Sequence, residues 1–311
     1  MLINDGKGKF RDISKENPSI QNAGMVTGAA WADINGDNKK ELIIIGEWIH
    51  PKIFSYNGSN QFTEIKSGLE NFTGLWQSLL AKDLDNDGDL DLVLGNIGEN
   101  FYLEPGEKNP VKMWMNDFDK NGMADKIITR HINGKDVPVF MKREITEQFP
   151  GLKKKNLRNE EYARSTVQDL FPKELIDAAE VKHFNYPSSA IAINDGKGNF
   201  TLTNLPAVIQ FSCVNAITAT DLNNDGLPDL VTGGNKYGWL PQFGRLDADY
   251  GNVLLNKGNG KFAVIKPAKT GLNLLGEIRS IQPLKIKGED HFLMTRNNDK
   301  PLLFTINNNQ Q

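Results

Sequence analysis

The sequence has one cysteine, Cys213, in 311 residues, which excludes an intrachain disulfide and a cysteine-rich metal knot. No apolar run approaches the roughly 20 residues that a membrane-spanning helix needs. Neither sign of charge dominates: 36 basic residues face 39 acidic ones, for a net charge of −3. No global field therefore draws the chain onto nucleic acid or anionic lipid. The first ten residues lack both the basic start and the apolar stretch of a leader peptide, so the N-terminus reads as truncated. His50, His131, His183 and His291 are scattered without a His-x-x-x-His pair, which leaves zinc unsupported. Nucleophile elbows, phosphate-binding glycine loops and dinucleotide fingerprints are absent.

What is present describes a folded chain rich in turns. Apolar residues make up 39%, enough for a core, and 29 glycines with 14 prolines argue against long helices. The length allows two domains of about 150 residues or one large sandwich, barrel or propeller. Asn57-Gly58-Ser59, Asn71-Phe72-Thr73 and Asn199-Phe200-Thr201 match the glycosylation sequon, as an Asn-rich chain does by chance. Cys213 sits in an apolar stretch and reads as a small core residue.

Two units recur. The first is a hairpin: Ile3-Asn4-Asp5-Gly6-Lys7-Gly8-Lys9-Phe10 returns as Ile193-Asn194-Asp195-Gly196-Lys197-Gly198-Asn199-Phe200. Leu255-Asn256-Lys257-Gly258-Asn259-Gly260-Lys261-Phe262 is a close variant, and Tyr56-Asn57-Gly58 with Phe62 a looser one. The second unit is acidic and starts at Asp33, Asp83, Asp117 and Asp221. Each copy carries side-chain oxygens at positions 1, 3, 5 and 9, has Gly at position 4 or 6, and runs into an apolar strand.

That spacing fits calcium, a hard cation that takes six to eight oxygens. Positions 1, 3 and 5 of a tight loop can turn inward while the carbonyl of position 7 adds a main-chain oxygen, and Gly supplies the left-handed turn. An EF-hand would close with Glu at position 12 and continue as a helix; here the closing acid is at position 9 and a strand follows. Two carboxylates about 4 Å apart repel by roughly 4 kcal/mol at an effective dielectric near 20, so such clusters without a cation would destabilise every copy.

The alternation of Asp-x-Asp-x-Asp-Gly-x-x-Asp-Leu loops with Asn-Asp-Gly-x-Gly-x-Phe hairpins resembles the FG-GAP/VCBS repeats of integrin α-subunit-like β-propellers. Gly46-Glu47-Trp48, Gly95-Asn96, Leu205-Pro206, Gly233-Gly234-Asn235 and the Gly244–Gly251 segment are similar to the C-terminal propeller region of large bacterial VCBS-repeat surface proteins. The resemblance implies an all-β propeller of five to seven four-stranded blades, with calcium loops between first and second strands. It implies about four calcium ions. Their ligands would be Asp33, Asn35, Asp37, Lys39 (carbonyl) and Glu41; Asp83, Asp85, Asp87, Asp89 and Asp91; Asp117, Asp119, Asn121, Met123 and Asp125; and Asp221, Asn223, Asp225, Leu227 and Asp229. The first loop departs most, ending in Glu with its Gly at position 4.

Residues 1–311 are then one propeller, or a fragment of a longer protein, interrupted by a helical insertion at 141–187. Blades are expected to start near Gly28, Leu75 and Asn215, and Val111–His131 to be either half of the second blade or the front of another. Residues 1–13 are expected to close the last blade, whose Lys285–Asp290 turn has lost the ligand pattern. Within the insertion, helices are expected over Met141–Phe149, Lys153–Leu170 and Lys173–Val181, with Leu157, Tyr162, Ala163, Val167 and Leu170 on the apolar face. Its basic cluster of Lys153, Lys154, Lys155, Arg158 and Arg164 reads as a solvated face or a partner-binding lid.

Residues that end second strands should emerge opposite the calcium loops: Glu47, Trp48, Asn96, Arg130 and Asn235, joined by Arg245, Asp247, Asp249 and Tyr250. Such a face reads as rim hydrogen bonding or as a binding site. The leading function is a calcium-stabilised binding or adhesion module for a protein or glycan, placed outside the cell, on its surface or in the periplasm, with further domains on a longer chain. An enzyme acting on polysaccharide through Glu47, Asp247 and Asp249 is the alternative, and a structural spacer the third.

Overall fold

The computed structural model describes residues 1–155 and 158–306. The chain divides into two compact units, Met1–Tyr102 with Pro187–Gln311, and Leu103–Tyr186.

In the first unit, β1 (Leu2–Asn4) and β2 (Phe10–Asp12) pair with each other as a two-stranded sheet. The next sheet contains β3 (Met25–Ala32), β4 (Glu41–Ile49), β5 (Lys52–Tyr56) and β6 (Phe62–Ile65), with β7 (Gly74–Leu75) on the end of β4. Strands β8 (Ser78–Lys82) and β9 (Asp91–Gly95) begin a sheet that is finished only after the second unit has been made. That second unit supplies β10 (Val111–Asn116), β11 (Asp125–Ile132), β12 (Lys135–Pro138) and β13 (Glu180–Phe184), ordered β12-β11-β10-β13. Strands β14 (Ala190–Asn194) and β15 (Phe200–Asn204) then complete the β15-β14-β9-β8 sheet, with Ala190 opposite Leu94 and Ala192 opposite Leu92. A further sheet follows in chain order, β16 (Val214–Thr220), β17 (Asp229–Gly234), β18 (Asn252–Asn256) and β19 (Phe262–Val264). The last has three strands, β20 (Ile278–Ile286), β21 (Glu289–Arg296) and β22 (Leu302–Thr305).

The strands after the acidic loops are central in their sheets, as their unbroken apolar runs require. Every residue of β9 and β17 is buried, as are Glu41–Gly46 of β4. Such strands are covered on both faces, so their sequences do not alternate. Leu84, Val93, Ile191, Val214, Leu230 and Leu254 form one apolar layer that joins the β8–β15 and β16–β19 sheets. Ala216, Val231, Val253, Ile278, Ile281 and Phe292 form the next, against β20 and β21. Close approach is enforced by glycine: a Cβ on Gly95 would lie 2.2 Å from the Val214 carbonyl oxygen, to which Ser78 Oγ donates at 2.8 Å.

These sheets correct the expectation of a propeller with five to seven four-stranded blades. The described strands form six separate sheets of two to five strands, and none is closed on itself. The first unit is a sandwich-like stack of sheets with apolar layers between them. Val111–His131 is part of neither a second blade nor a following one, because β10 and β11 pair with β12 and β13 in the second unit. The 1–13 hairpin does not close the last sheet, since among the described residues β1 pairs with β2 alone. Hairpin repetition specifies which neighbours pair, but not how the resulting sheets are arranged.

The helices of the second unit also differ from expectation. Lys142–Gln148 is helical as anticipated, but the expected 153–170 helix is broken into Asn159–Arg164 and Val167–Leu170. Between them Ser165 and Thr166 are extended, because the Thr166 side chain accepts the Asp169 N–H and Asp169 accepts the Thr166 N–H, a capping box that starts a new helix. The third helix stops at Asp177, and Glu180–Phe184 forms β13. Tyr162, Val167 and Leu170 enter a core with Trp114, Phe118 and Ile127, while Ala163 is exposed. Leu157 and the Lys154 and Lys155 side chains lie outside the described residues.

Candidate functional site

The four acidic loops join antiparallel neighbours β3–β4, β8–β9, β10–β11 and β16–β17. Their main chains are alike. Positions 4 and 6 have positive φ in every copy: Gly36 and Asn38, Asn86 and Gly88, Lys120 and Gly122, Asn224 and Gly226. The first loop's displaced Gly is thereby explained, since Gly and Asn exchange two left-handed positions that both residues tolerate.

Three hydrogen bonds recur in all four. The position-6 N–H donates to one oxygen of the position-1 Asp, at 2.8–3.1 Å. The position-7 N–H donates to the position-5 side chain at 2.8–3.1 Å. The position-2 N–H donates to the closing acid at 2.9–3.2 Å. These bonds fix where each carboxylate points before any ligand arrives.

The closing acids anchor the loops. Asp91 and Asp229 are fully buried and Glu41 is 3% exposed, and burial pushes all three carboxyls up from their usual range. The two aspartates take a second partner from the hairpin repeats: Asn194 N–H donates to Asp91 and Asn256 N–H to Asp229. The same asparagines reach the preceding sheet, where Asn194 Nδ2 donates to the Ile34 carbonyl and Asn256 Nδ2 to the Leu84 carbonyl, each at 2.7 Å. Sequence reasoning took both as turn residues. Their position at the end of a buried strand, immediately before the turn, was the available signal.

Carboxylate oxygens of Asp83, Asp85 and Asp91 lie within 4.8 Å of one another, as do those of Asp117, Asp119 and Asp125. Each such pair repels by about 3 kcal/mol at an effective dielectric near 20. In the second loop, burial and then Asp87 push Asp89 up to about 6, and burial followed by Asp87 also raises Asp85. One oxygen of each is buried with no hydrogen-bond partner. Clustered carboxylate oxygens with no nitrogen or sulfur donor are the kind of set that could hold a hard cation. Asp37, Asp87, Asn35, Asn121, Asn223 and Asp225 occupy the equivalent inner positions, and Lys39, Asp89, Met123 and Leu227 supply the position-7 carbonyls.

The residues ending second strands are only partly gathered. Glu47 Oε1 accepts from Lys236 Nζ at 2.9 Å and from Gln77 Nε2 at 3.0 Å. Lys236 also sits over the Trp239 ring at 5.0 Å, and the Arg245 guanidinium stacks on Tyr237 at 3.6 Å, with Asp247 3.9 Å from Arg245. Tyr250 is exposed. By contrast Trp48 is 8% exposed, and Asn96 and Asn235 are interior residues. Asn96 Oδ1 accepts from Leu75 and Ile97 N–H, and Asn235 bonds Ser212 and the Asp249 main chain. Burial pushes Asp249 up to about 6 while Gly251 N–H and Asn252 hold its carboxylate. Arg130 is carried by β11 of the second unit. Gln77, Lys236, Tyr237 and Trp239 were missed by sequence reasoning; Lys236 follows Asn235 directly and was within its reach.

No family model and no curated protein matches the chain. Among solved structures, that of the V. cholerae biofilm matrix protein Bap1 is similar, with a TM-score of 0.32 and 10% identity over 91% of this chain. The chain spans 63% of the length of that one, and a likeness this slight carries no argument about function. The resemblance to FG-GAP/VCBS repeats accordingly stands on the loop and hairpin motifs alone.

Proposed function

We propose that this chain is a calcium-binding recognition module, with loop positions 1, 3, 5, 7 and 9 as ligands and a partner engaged through the Glu47–Lys236–Arg245 surface. The observation that carries the reading is the second loop, where five carboxylates share one turn and the buried oxygens of Asp85 and Asp89 have no partner. A divalent cation removes that repulsion and meets those oxygens. The size of the donor set and the flexible side-chain ligands favour calcium over magnesium, which demands a tighter octahedron. Loops of this kind with affinities of about 10⁻⁴–10⁻³ M suit extracellular calcium, so we place the chain outside the cytoplasm.

On the partner side, Arg, Tyr and Trp are the side chains that most often dominate binding energy, and Arg245, Tyr237 and Trp239 are held by stacking. Lys236 and Glu47 neutralise each other, which suits a protein or glycan surface better than a strongly charged one. The test is calorimetric titration of dialysed protein with calcium, together with thermal melting in chelator. A ligand at 100 times its dissociation constant stabilises by about 2.7 kcal/mol per site, so melting should rise by several degrees. Unchanged melting with no heat of binding sinks the proposal.

A further inference from the structure

The first unit carries one hairpin surface three times, and two of the three are covered. Hairpin β14–β15 turns through Asn194–Phe200 and β18–β19 through Asn256–Phe262, and β1–β2 turns through Asn4–Phe10 in similar residues. The registers agree as well: Asn4 lies opposite Phe10, Asn194 opposite Phe200 and Asn256 opposite Phe262. In the two later copies the first strand pairs on its other side with the strand that follows an acidic loop, β14 with β9 and β18 with β17. Among the described residues β1 pairs only with β2.

The difference shows residue by residue. Ala192 and Leu254 are fully buried, whereas Leu2 at the same position is 63% exposed; Phe200 is 6% exposed and Phe10 63%. A Cβ on Gly196 would lie 3.1 Å from Asp89 Oδ2 and one on Gly258 4.0 Å from Leu227 Cδ1, both at position 7 of the adjoining loop; on Gly6 it would meet nothing within 4 Å. Asn194 donates its N–H to Asp91, position 9, and its Nδ2 to the Leu90 carbonyl, position 8. Asn256 repeats both bonds with Asp229 and Pro228. Asn4 is oriented for the same pair. Asp5 N–H donates to the Lys9 carbonyl and Ile13 N–H to the Met1 carbonyl, so the main-chain groups of Leu2 and Asn4 face away from β2. Lys7 and Lys9 stand exposed on the turn between.

We propose that the free edge of β1 binds a partner polypeptide by strand addition, the added segment being an acidic loop that closes in Asp and runs into an apolar strand. The segment pairs antiparallel with β1. Its closing carboxylate accepts the Asn4 N–H, the carbonyl before it accepts Asn4 Nδ2, and its next residue, leucine in both covered copies, lies opposite Leu2. Lys7 and Lys9 complement the charge of such a loop. An unpaired strand edge is a template for main-chain pairing, and the side chains along it set which strand fits. The proposal goes beyond the calcium reading and does not depend on it, because every contact is a hydrogen bond, an apolar pair or a charge.

The experiment titrates the whole chain with a labelled synthetic peptide of the sequence Asp221–Gly234, in chelator at low salt, read by fluorescence anisotropy and amide NMR shifts. Saturable binding is expected, with shifts centred on Leu2, Asn4 and Gly6. The same peptide with Asp229→Ala should lose about tenfold in affinity, since it lacks the charged acceptor for Asn4. Leu2→Lys in the chain, at an exposed position and so with unchanged melting, should lose at least as much. Lys7→Glu with Lys9→Glu should weaken binding severalfold, an effect that high salt removes. Leu303→Lys, on the exposed edge strand β22, should bind as the wild type does. The absence of saturable binding overturns the proposal, as does equal binding of a scrambled peptide, equal binding by Leu2→Lys, or shifts confined to another edge.

Discussion

The second and fourth acidic loops share a main chain but not a charge. Asp83–Asp91 and Asp221–Asp229 have the same two left-handed residues, the same three internal hydrogen bonds and the same fully buried closing Asp. At positions 3 and 7 they part, with Asp85 and Asp89 where the fourth loop has Asn223 and Leu227. The Leu227 N–H, and then Asn223 Nδ2, which donates to Asp225 Oδ2 at 2.9 Å, hold the Asp225 carboxyl below its usual range. Asp85 faces Asp87 in the second loop, and burial with that repulsion moves it the other way. Among the described residues, the second loop has two buried side-chain oxygens without a partner, on Asp85 and Asp89, and the fourth has none. The loop conformation is thus set by main-chain geometry, and the unpartnered oxygens lie on the two acids that the second loop carries in place of Asn223 and Leu227.

The shared frame is broken most severely at the closing acid. Asp91→Ala leaves the Leu84 and Asn194 N–H groups without an acceptor, and Asp229→Ala does the same to Leu222 and Asn256. Bonds to charged acceptors contribute about 1.5–3 kcal/mol each, so either variant should lose about 4 kcal/mol in urea denaturation. Asp290→Ala, at an exposed position of β21 beside the β20–β21 turn, should lose almost nothing. A loss below about 1 kcal/mol at Asp91 or Asp229 would show that these loops are not anchored as described.

Exchanging position 3 sharpens the contrast. Asp85→Asn should raise the melting temperature in chelator by an amount equivalent to roughly 1–2 kcal/mol, by relieving one repulsive pair, while weakening calcium at that loop at least tenfold. Asn223→Asp should do the reverse in the fourth loop. If both variants shift calcium affinity and metal-free stability in the same direction, charge is not what distinguishes the loops.

Local chemistry explains why so much of these loops was legible. Asp-x-Asp spacing, Gly or Asn at left-handed positions and an apolar run afterwards are all read within ten residues. The partner of β9 was not legible, because β14 lies beyond the whole second unit and either β10 or β14 offers a plausible apolar strand. Nor could helical spacing over 153–170 reveal that Thr166 and Asp169 would cap a new helix. Hairpin repetition suggested blades of a ring, yet repetition constrains pairing between neighbours and leaves the stacking of sheets to contacts such as Gly95 against Val214. The binding surface was half visible. Glu47 and Arg245 stood out as charges at strand ends, but Asn96 and Asn235 look equally polar in sequence and turn out to hold the interior.

Acidity should separate the loops next. Asp89 in the metal-free second loop is raised to about 6 from 3.8, chiefly by burial, and Asp249 likewise. A folded-state value above the unfolded one means that the folded protein binds the proton more tightly between the two. Metal-free stability should therefore be highest near pH 4, fall as pH rises toward 6 and level off beyond about 7. In the fourth loop Asp225 is displaced in the opposite direction while burial raises Asp229, so the two oppose each other there. Asp89→Asn should remove part of the slope and leave the share of Asp249. Saturating calcium should flatten the second loop's contribution, because the bound carboxylates no longer titrate in that range. A metal-free stability that climbs from pH 4 to 6 would contradict this assignment.

The smallest expected effect tests whether the two loops act separately at all. Asn86 and Asn224 occupy the same position with φ of 61° and 59°, and each can be replaced by Gly without straining the turn. They differ in one bond: Asn86 Nδ2 donates to the Gly226 carbonyl of the fourth loop at 2.8 Å, whereas the Asn224 side chain has no hydrogen-bond partner among the described residues. Asn224→Gly should consequently change stability by only the few tenths of a kcal/mol that relief of the left-handed conformation and added chain entropy leave between them. Asn86→Gly carries the same terms and also loses the interloop bond, for a further 0.5–1 kcal/mol or so at an exposed site. The double variant should then equal the sum of the singles, since Asn224 contributes nothing to the bond. Chemical denaturation of all three measures this difference. Identical losses for the two singles would mean that the bond between the loops contributes no stability.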